Sequence, residues 1–318
     1  MAKASAPVPR PVATPEASGD GVVPTLAELT ALRAVAAARR PPRQGRQGRQ
    51  AGAGRAPSPV RGRGMEYAES REYAPGDEVR HIDWRVTARS GRPHTKMFQA
   101  ERERLTLVVA DTSPALYFGT RVRFKSVQAA RAAAIAAWVA VRDGDRVAAL
   151  RGSSVEPPVT PAGGSRGALR VLDALARWYA RPPDADEGLD VALEHAERVL
   201  RPGSRLLVLA DPASLAGVPD RRWPALAMHS QVLVLLPVDP LESDPPDGAL
   251  ALDAGGQLLE LDLGIAAHRQ RWLSAFGAPL ETALARLPAY GVRAAALPGD
   301  GAGDEWLPLF SVPRSVRA

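Results

Sequence analysis

From Leu105 to Leu297 short apolar runs alternate with longer stretches of helical periodicity, and this alternation restricts the fold more than any other feature of the chain. Strand-sized runs stand at Leu105–Ala110, Val147–Leu150, Arg205–Ala210, Gln231–Val238 and Val292–Leu297. Helical patterns fall at Arg123–Arg142, Gly167–Ala180, Glu187–Leu200 and Ala266–Leu287, and Leu250–Leu263 reads as a hairpin turning at Ala254-Gly255-Gly256. Continuous apolar strands are covered on both faces, and helical crossovers of this length join parallel neighbours. The expectation is an α/β fold with a mostly parallel sheet. Three of the runs end in an aspartate, namely Asp111, Asp211 and Asp239. Ligands of open α/β sheets bind outside the carboxyl ends of the strands, so any chemistry is expected at that rim. Carboxylates with the hydroxyls of Asp111-Thr112-Ser113 are hard oxygen donors suited to magnesium or manganese. The plainer role of a strand-end aspartate is to cap the following turn or helix.

Upstream of this region the chain has a different character. Residues 1–24 read as a polar, Pro/Ala-rich tail without a signal-peptide core. Thr25–Arg40 reads as a helix, with Thr25 as N-cap, Glu28 at capping-box spacing, and Leu26, Leu29, Leu32 and Val35 near one face. Residues 41–63 repeat Arg, Gln and Gly without periodicity and are expected to form a disordered linker, so removal of residues 1–60 is expected to leave stability nearly unchanged. The net charge of +6 is local: residues 29–65 hold nine arginines and no acid. Such an arm could bind nucleic acid in a salt-dependent way. Residues 64–104 are a densely charged segment with interspersed aromatics, 105–300 the α/β core, and 301–318 a C-terminal tail.

Several chemistries are excluded outright. There is no cysteine, hence no disulfide, thiolate metal site or cysteine nucleophile. No phosphate loop, Gly-x-Ser-x-Gly elbow or paired histidine ligand spacing occurs. No apolar run approaches membrane-spanning length, so a cytoplasmic location without membrane contact is expected.

The charged segment carries the pattern Arg-x-Tyr-x-x-Gly-Asp-x-x-Arg-x-Ile-Asp-Trp over Arg71–Trp84. Lys96 and Phe98 follow it, then Lys125 at the start of the first helix of the α/β region, Gly144-Asp145-Arg146-Val147 before the second strand, and Asp239-Pro240 with Glu242 after the Gln231–Val238 run. Together, from about Gly62 to Leu297, these resemble the domain-of-unknown-function 58 family. The resemblance implies a Rossmann-like von Willebrand factor A-type domain preceded by the charged segment. It also implies a metal-ion-dependent adhesion site, for which Asp111, Ser113 and Asp211 match; Ala115 replaces a serine, and Glu187 stands where a threonine is usual. With two of five ligands altered, magnesium binding is expected to be weak or lost, and no cofactor is expected. Relatives of this kind are associated with MoxR-type AAA+ ATPases, which implies a non-enzymatic adaptor or co-chaperone that joins such an ATPase to an unknown client. Many of them also have N-terminal membrane helices, a pattern from which this sequence departs.

The signature segment supports two readings. It is either a salt-bridged cover with Trp84 packed against the core and its indole N–H bonded, or a docking face using Arg71, Tyr73, Arg80, Asp83, Trp84 and Arg89. Two rival functions are a nucleic-acid-binding protein working through the arm and a metal-dependent hydrolase built on the aspartate rim, the latter without an evident base or nucleophile.

Overall fold

The computed structural model describes residues 20–38, 65–74, 76–100, 104–184, 186–253 and 256–311. The chain opens with α1 (Leu26–Ala31) and α2 (Arg33–Ala38), followed by β1 (Met65–Glu72), α3 (Trp84–Ser90) and β2 (His94–Ala100). The core then runs β3 (Leu105–Ala110), α4 (Lys125–Arg142), β4 (Arg146–Arg151), β5 (Val159–Ala162), α5 (Gly164–Trp178), α6 (Leu189–Val199) and β6 (Arg205–Leu209). It continues through α7 (Arg222–His229), β7 (Gln231–Val238), α8 (Pro240–Ser243), β8 (Ala249–Asp253), β9 (Leu258–Asp262), α9 (Ala266–Arg286), β10 (Arg293–Pro298) and α10 (Leu307–Ser311).

Six strands form the central sheet in the order β10-β7-β6-β3-β4-β5. All neighbours are parallel except β5, which runs antiparallel to β4. From the central β3 the chain moves outward through β4 and β5, then crosses back to lay β6, β7 and β10 on the other side. The direction of travel thus reverses between β3 and β6, and a crevice opens at their carboxyl ends. Side chains alternate between two cores. Val108, Ala149, Leu207 and Leu235 face α4 and α5, whereas Leu107, Val109, Leu206 and Val234 face α6, α7 and α9. The β8–β9 pair is a separate antiparallel hairpin, whose expected turn at residues 254–255 lies outside the described residues.

Helix α4 is buried on nearly every side, because its run of alanines lets helices approach it from the flank away from the sheet. Here the structure corrects the reading of the N-terminus. Thr25 caps α1 as expected, accepting from the Glu28 amide at 3.2 Å. The Glu28 side chain does not close a capping box; it pairs with Arg131 of α4 in a buried salt bridge. Trp138 Nε1 donates to the Leu29 carbonyl at 3.1 Å, and Arg142 Nη1 to the Ala36 carbonyl at 2.8 Å. Leu29, Leu32 and Ala36 lie in the same cluster as α4 and α5, with Leu26 left exposed. The two short helices therefore belong to the core, and removal of residues 1–60 would open it. Even the end of the supposed tail is fastened: Phe124 N donates to the Gly21 carbonyl at 2.8 Å, and Gly21 has φ +75°. Residues 1–19 and 39–64, on which the tail and linker expectations mainly fall, lie outside the described residues.

The C-terminus needs the same correction. Residues 301–311 are no loose tail, since Trp306, Leu307 and Phe310 are buried in the cluster that holds α1 and α4. Arg205 lies 5.2 Å over the Phe310 ring, and Trp306 Nε1 donates to the Gly303 carbonyl at 2.7 Å. The charged segment is itself a folded unit, in which β1 and β2 pair antiparallel and α3 bridges them.

Candidate functional site

At the carboxyl end of β3, Asp111 is buried and each of its carboxylate oxygens accepts a backbone amide. Oδ1 accepts from Ser113 N and Oδ2 from Asp211 N, both at 2.9 Å, so this carboxylate ties together the two strands that flank the crevice. Burial pushes the Asp111 carboxyl up, against the opposing hydrogen bonds from the Ser214 hydroxyl and these amides. Asp211, after β6, accepts from Ala213 N on Oδ1 at 3.0 Å and from the Lys125 ammonium on Oδ2 at 2.9 Å. The same ammonium donates to Glu242 Oε1 at 2.6 Å. Lys125 is the first residue of α4 and only 2% exposed. Burial opposes its charge, but the Asp211 and Glu242 carboxylates outweigh that and hold its pKa above the ordinary value. The third strand-end aspartate, Asp239, is a cap. Its oxygens take Thr120 N, Thr120 Oγ1 and Leu241 N, and Glu242 Oε2 returns to Asp239 N in a capping box.

Beside this group lies a cleft of about 440 Å³ lined by Asp111, Thr112, Ser113, Asp186, Glu187 and Gly188. Its far wall depends on glycine, because a Cβ at Gly152 would run into the Gly188 carbonyl. Glu187 is exposed and Ala115 has no side-chain oxygen. Mg²⁺ requires near-octahedral oxygen ligands at about 2.0–2.1 Å. The inward oxygens of Asp111 and Asp211 are instead occupied by amides, a hydroxyl and an ammonium. Among the described residues no group of three or more His, Asp or Glu side chains is arranged to hold a metal ion. As they stand, these residues do not fit a hard divalent cation.

The second place of interest is the strand–helix–strand unit. Asp83 is buried and caps α3, accepting from Arg85 N and Val86 N at 3.2 Å and from Ser70 Oγ at 2.9 Å. The Ser70 hydrogen bond holds its carboxyl below the usual range. Arg71 is half-buried and pairs with Asp77 at 2.6 Å, while Asp77 also receives Ala74 N, which fixes the intervening turn. Tyr73 is half-buried and bonds Pro93 O through its amide at 2.8 Å. Arg80 is exposed and doubly bonded to Glu78 at 2.7 and 2.8 Å. Trp84 does not pack against the core as the cover reading requires: it is 69% exposed. The reason is the register set by Asp83, from which α3 turns Val86 and Thr87 inward; Thr87 Oγ1 accepts from His94 N at 3.0 Å. Trp84, Arg85, Ala88 and Arg89 are left outward at a spacing that makes one helix face. Among the described residues Arg85 and Arg89 meet no acidic partner, whereas Arg71, Arg80 and Arg92 do.

Lys125 and Glu242 were visible in the sequence only as parts of a family pattern, although one signal does mark the former. The chain has 38 arginines and three lysines, so a lysine kept at the head of a buried helix stands out against the composition. The signal for Glu242 is its capping-box position, three residues after Asp239.

The molecule is therefore an α/β protein whose switch-point crevice is bordered by a buried Lys–Asp–Glu group, joined to a charged strand–helix–strand unit that presents a bare tryptophan. Comparison with known proteins places it in a family. Residues 69–278 match the family described as Protein of unknown function DUF58, and the chain belongs to it. Among curated proteins it is similar to one uncharacterized protein of Mycobacterium bovis and two of Mycobacterium tuberculosis. Each is 33% identical over 194 residues, which cover 59% of this chain and 59% of the relative. The chain thus spans about three-fifths of the length of the curated relatives it matches. No solved structure matches it significantly. Among the described residues no helix is long and apolar enough to cross a membrane.

Proposed function

We propose that this chain is a non-enzymatic interaction module, an adaptor or co-chaperone that joins a MoxR-type AAA+ ATPase to a client protein in the cytoplasm. The core is read as a von Willebrand factor A-type domain, a reading supported by its strand order, which counts 3-2-1-4-5-6 with the third strand antiparallel. The observation that carries the functional reading is Trp84. A tryptophan 69% exposed on a helix with a buried cap is a large apolar surface held rigidly in water. With Arg85 and Arg89 beside it, the face has the aromatic and arginine composition typical of interface anchors. Arg71, Asp83 and Tyr73 act behind it by fixing the turn and the helix, and Arg80 flanks it. The chain's lack of a phosphate loop leaves ATP hydrolysis to the partner.

The test is binding of a purified MoxR-type ATPase from the same organism, in the presence of ATP, to the wild type, Trp84→Ala and Arg85→Glu/Arg89→Glu. The reading expects at least a tenfold loss of affinity in both variants with unchanged melting temperature. Full-strength binding by both would overturn it.

A further inference from the structure

The docking reading makes no use of the Lys125–Asp211–Glu242 group, yet this is the most completely buried charge cluster among the described residues. The lysine side chain is 2% exposed and the two carboxylates 6% and 7%. A buried ion group is on average no more stabilising than apolar residues of the same shape, so its presence calls for a role other than stability alone. Its chemistry is specific. An ammonium is a compact point charge with three donors, unlike the planar fork of arginine that the chain uses nearly everywhere else. The cation stands at the carboxyl ends of the strands, on the rim where Asp111 and Asp211 join β3 to β6.

We propose that the Lys125 ammonium is a resident cation that takes the electrostatic place of a divalent metal at this rim. It draws Asp211 and Glu242 together, and through the Asp211 amide bonded to Asp111 it fixes the crevice without any dependence on metal supply. The corollary is a latent site for a hard divalent cation. Asp211 Oδ2 and Glu242 Oε1 both point at the ammonium nitrogen, from 2.9 and 2.6 Å. An ion in its place would need ligand distances of about 2.1 Å, an inward shift of about 0.5–0.8 Å for each oxygen. Deleting the lysine side chain also vacates the volume that coordinated waters would fill. One ammonium against two carboxylates leaves a unit negative charge, which a divalent ion would cancel.

The experiment uses the full chain and Mn²⁺ as probe, read by thermal melting and by the electron paramagnetic resonance signal of free Mn²⁺. The variants are Lys125→Ala, Lys125→Ala/Glu242→Gln and Asp111→Asn. The wild type is expected to show no saturable shift in millimolar Mn²⁺. Lys125→Ala is expected to melt well below the wild type in EDTA, to regain several degrees as Mn²⁺ saturates it, and to bind one ion. The double variant is expected to lose that response. If Lys125→Ala does not fold in EDTA, recovery of folded protein on adding Mn²⁺ supports the proposal and failure to recover overturns it. A saturable Mn²⁺ shift in the wild type that Asp111→Asn removes would also overturn it, as would a folded Lys125→Ala indifferent to Mn²⁺.

Discussion

Replacing Leu29 by alanine tests whether the N-terminal helices belong to the core. Leu29 is fully buried among α4 and α5, and its carbonyl holds the Trp138 indole. Deleting most of a buried leucine costs about 2–5 kcal/mol, the upper part of the range applying where neighbours cannot collapse into the space. Here α4, whose alanines have little side chain to move into the space, is packed against the sheet in the same cluster. A value near 4 kcal/mol follows, and at roughly 2–4 °C per kcal/mol for a chain of this size the melting temperature should fall by about 8–16 °C. Leu26→Ala is the internal control: it lies in the same helix with the same propensity change but is 41% exposed, and should cost less than about 0.5 kcal/mol. Glu28→Ala should be as damaging as Leu29→Ala, because it leaves Arg131 charged and buried without its partner. Circular dichroism melts of the three variants decide the matter. If Leu29→Ala melts with Leu26→Ala, the helices are not part of the cooperative unit.

Trp84→Ala should change stability by less than about 0.5 kcal/mol in a chemical denaturation curve, the opposite of a buried tryptophan, because its ring is already in water. Gly152→Ala should cost about 1–3 kcal/mol and raise hydrogen exchange around Gly188, since the new methyl group collides with that carbonyl. Asp145 contacts Arg205 at 3.4 Å and accepts from Thr106 Oγ1, but burial pushes its pKa up to about 6 from 3.8. The folded state therefore holds this proton more tightly than the unfolded one. Its contribution to stability is full below about pH 4 and is lost as pH rises through about 6. Carbon-detected NMR titration should place the midpoint near 6, and Asp145→Asn should flatten the pH dependence of unfolding across that window.

The core of the fold was readable because its strands and helices are set by local patterning. The runs at Leu105–Ala110 and Gln231–Val238 coincide with β3 and β7 to the residue, and β6 stops one residue short at Leu209. The ends of the chain were misread for one reason. Leu29, Leu32 and Ala36 form a narrow stripe, and Trp306, Leu307 and Phe310 a cluster too short for periodicity, so only the tertiary partner on α4 or Arg205 gives either one meaning. At Trp84 the cover reading fails for the opposite reason. Aromatic residues bury large areas on average, but a single exposed position is decided by helix register, here set by the Asp83 cap. At the rim, Asp111 and Asp211 were legible as strand ends. That Lys125 reaches across to Asp211 and Glu242 was not, because residues 86 and 117 positions apart meet only through the crossover of the sheet.

The docking claim is tested most directly by placing a photo-crosslinking residue, benzoylphenylalanine, at position 84 and irradiating the full chain with the MoxR-type ATPase and ATP. A second chain carries the probe at Leu169, which is 40% exposed on α5. A covalent adduct with the ATPase is expected from position 84 and none from position 169. An adduct from position 169 alone, or none from either while the two proteins still co-purify, would contradict it.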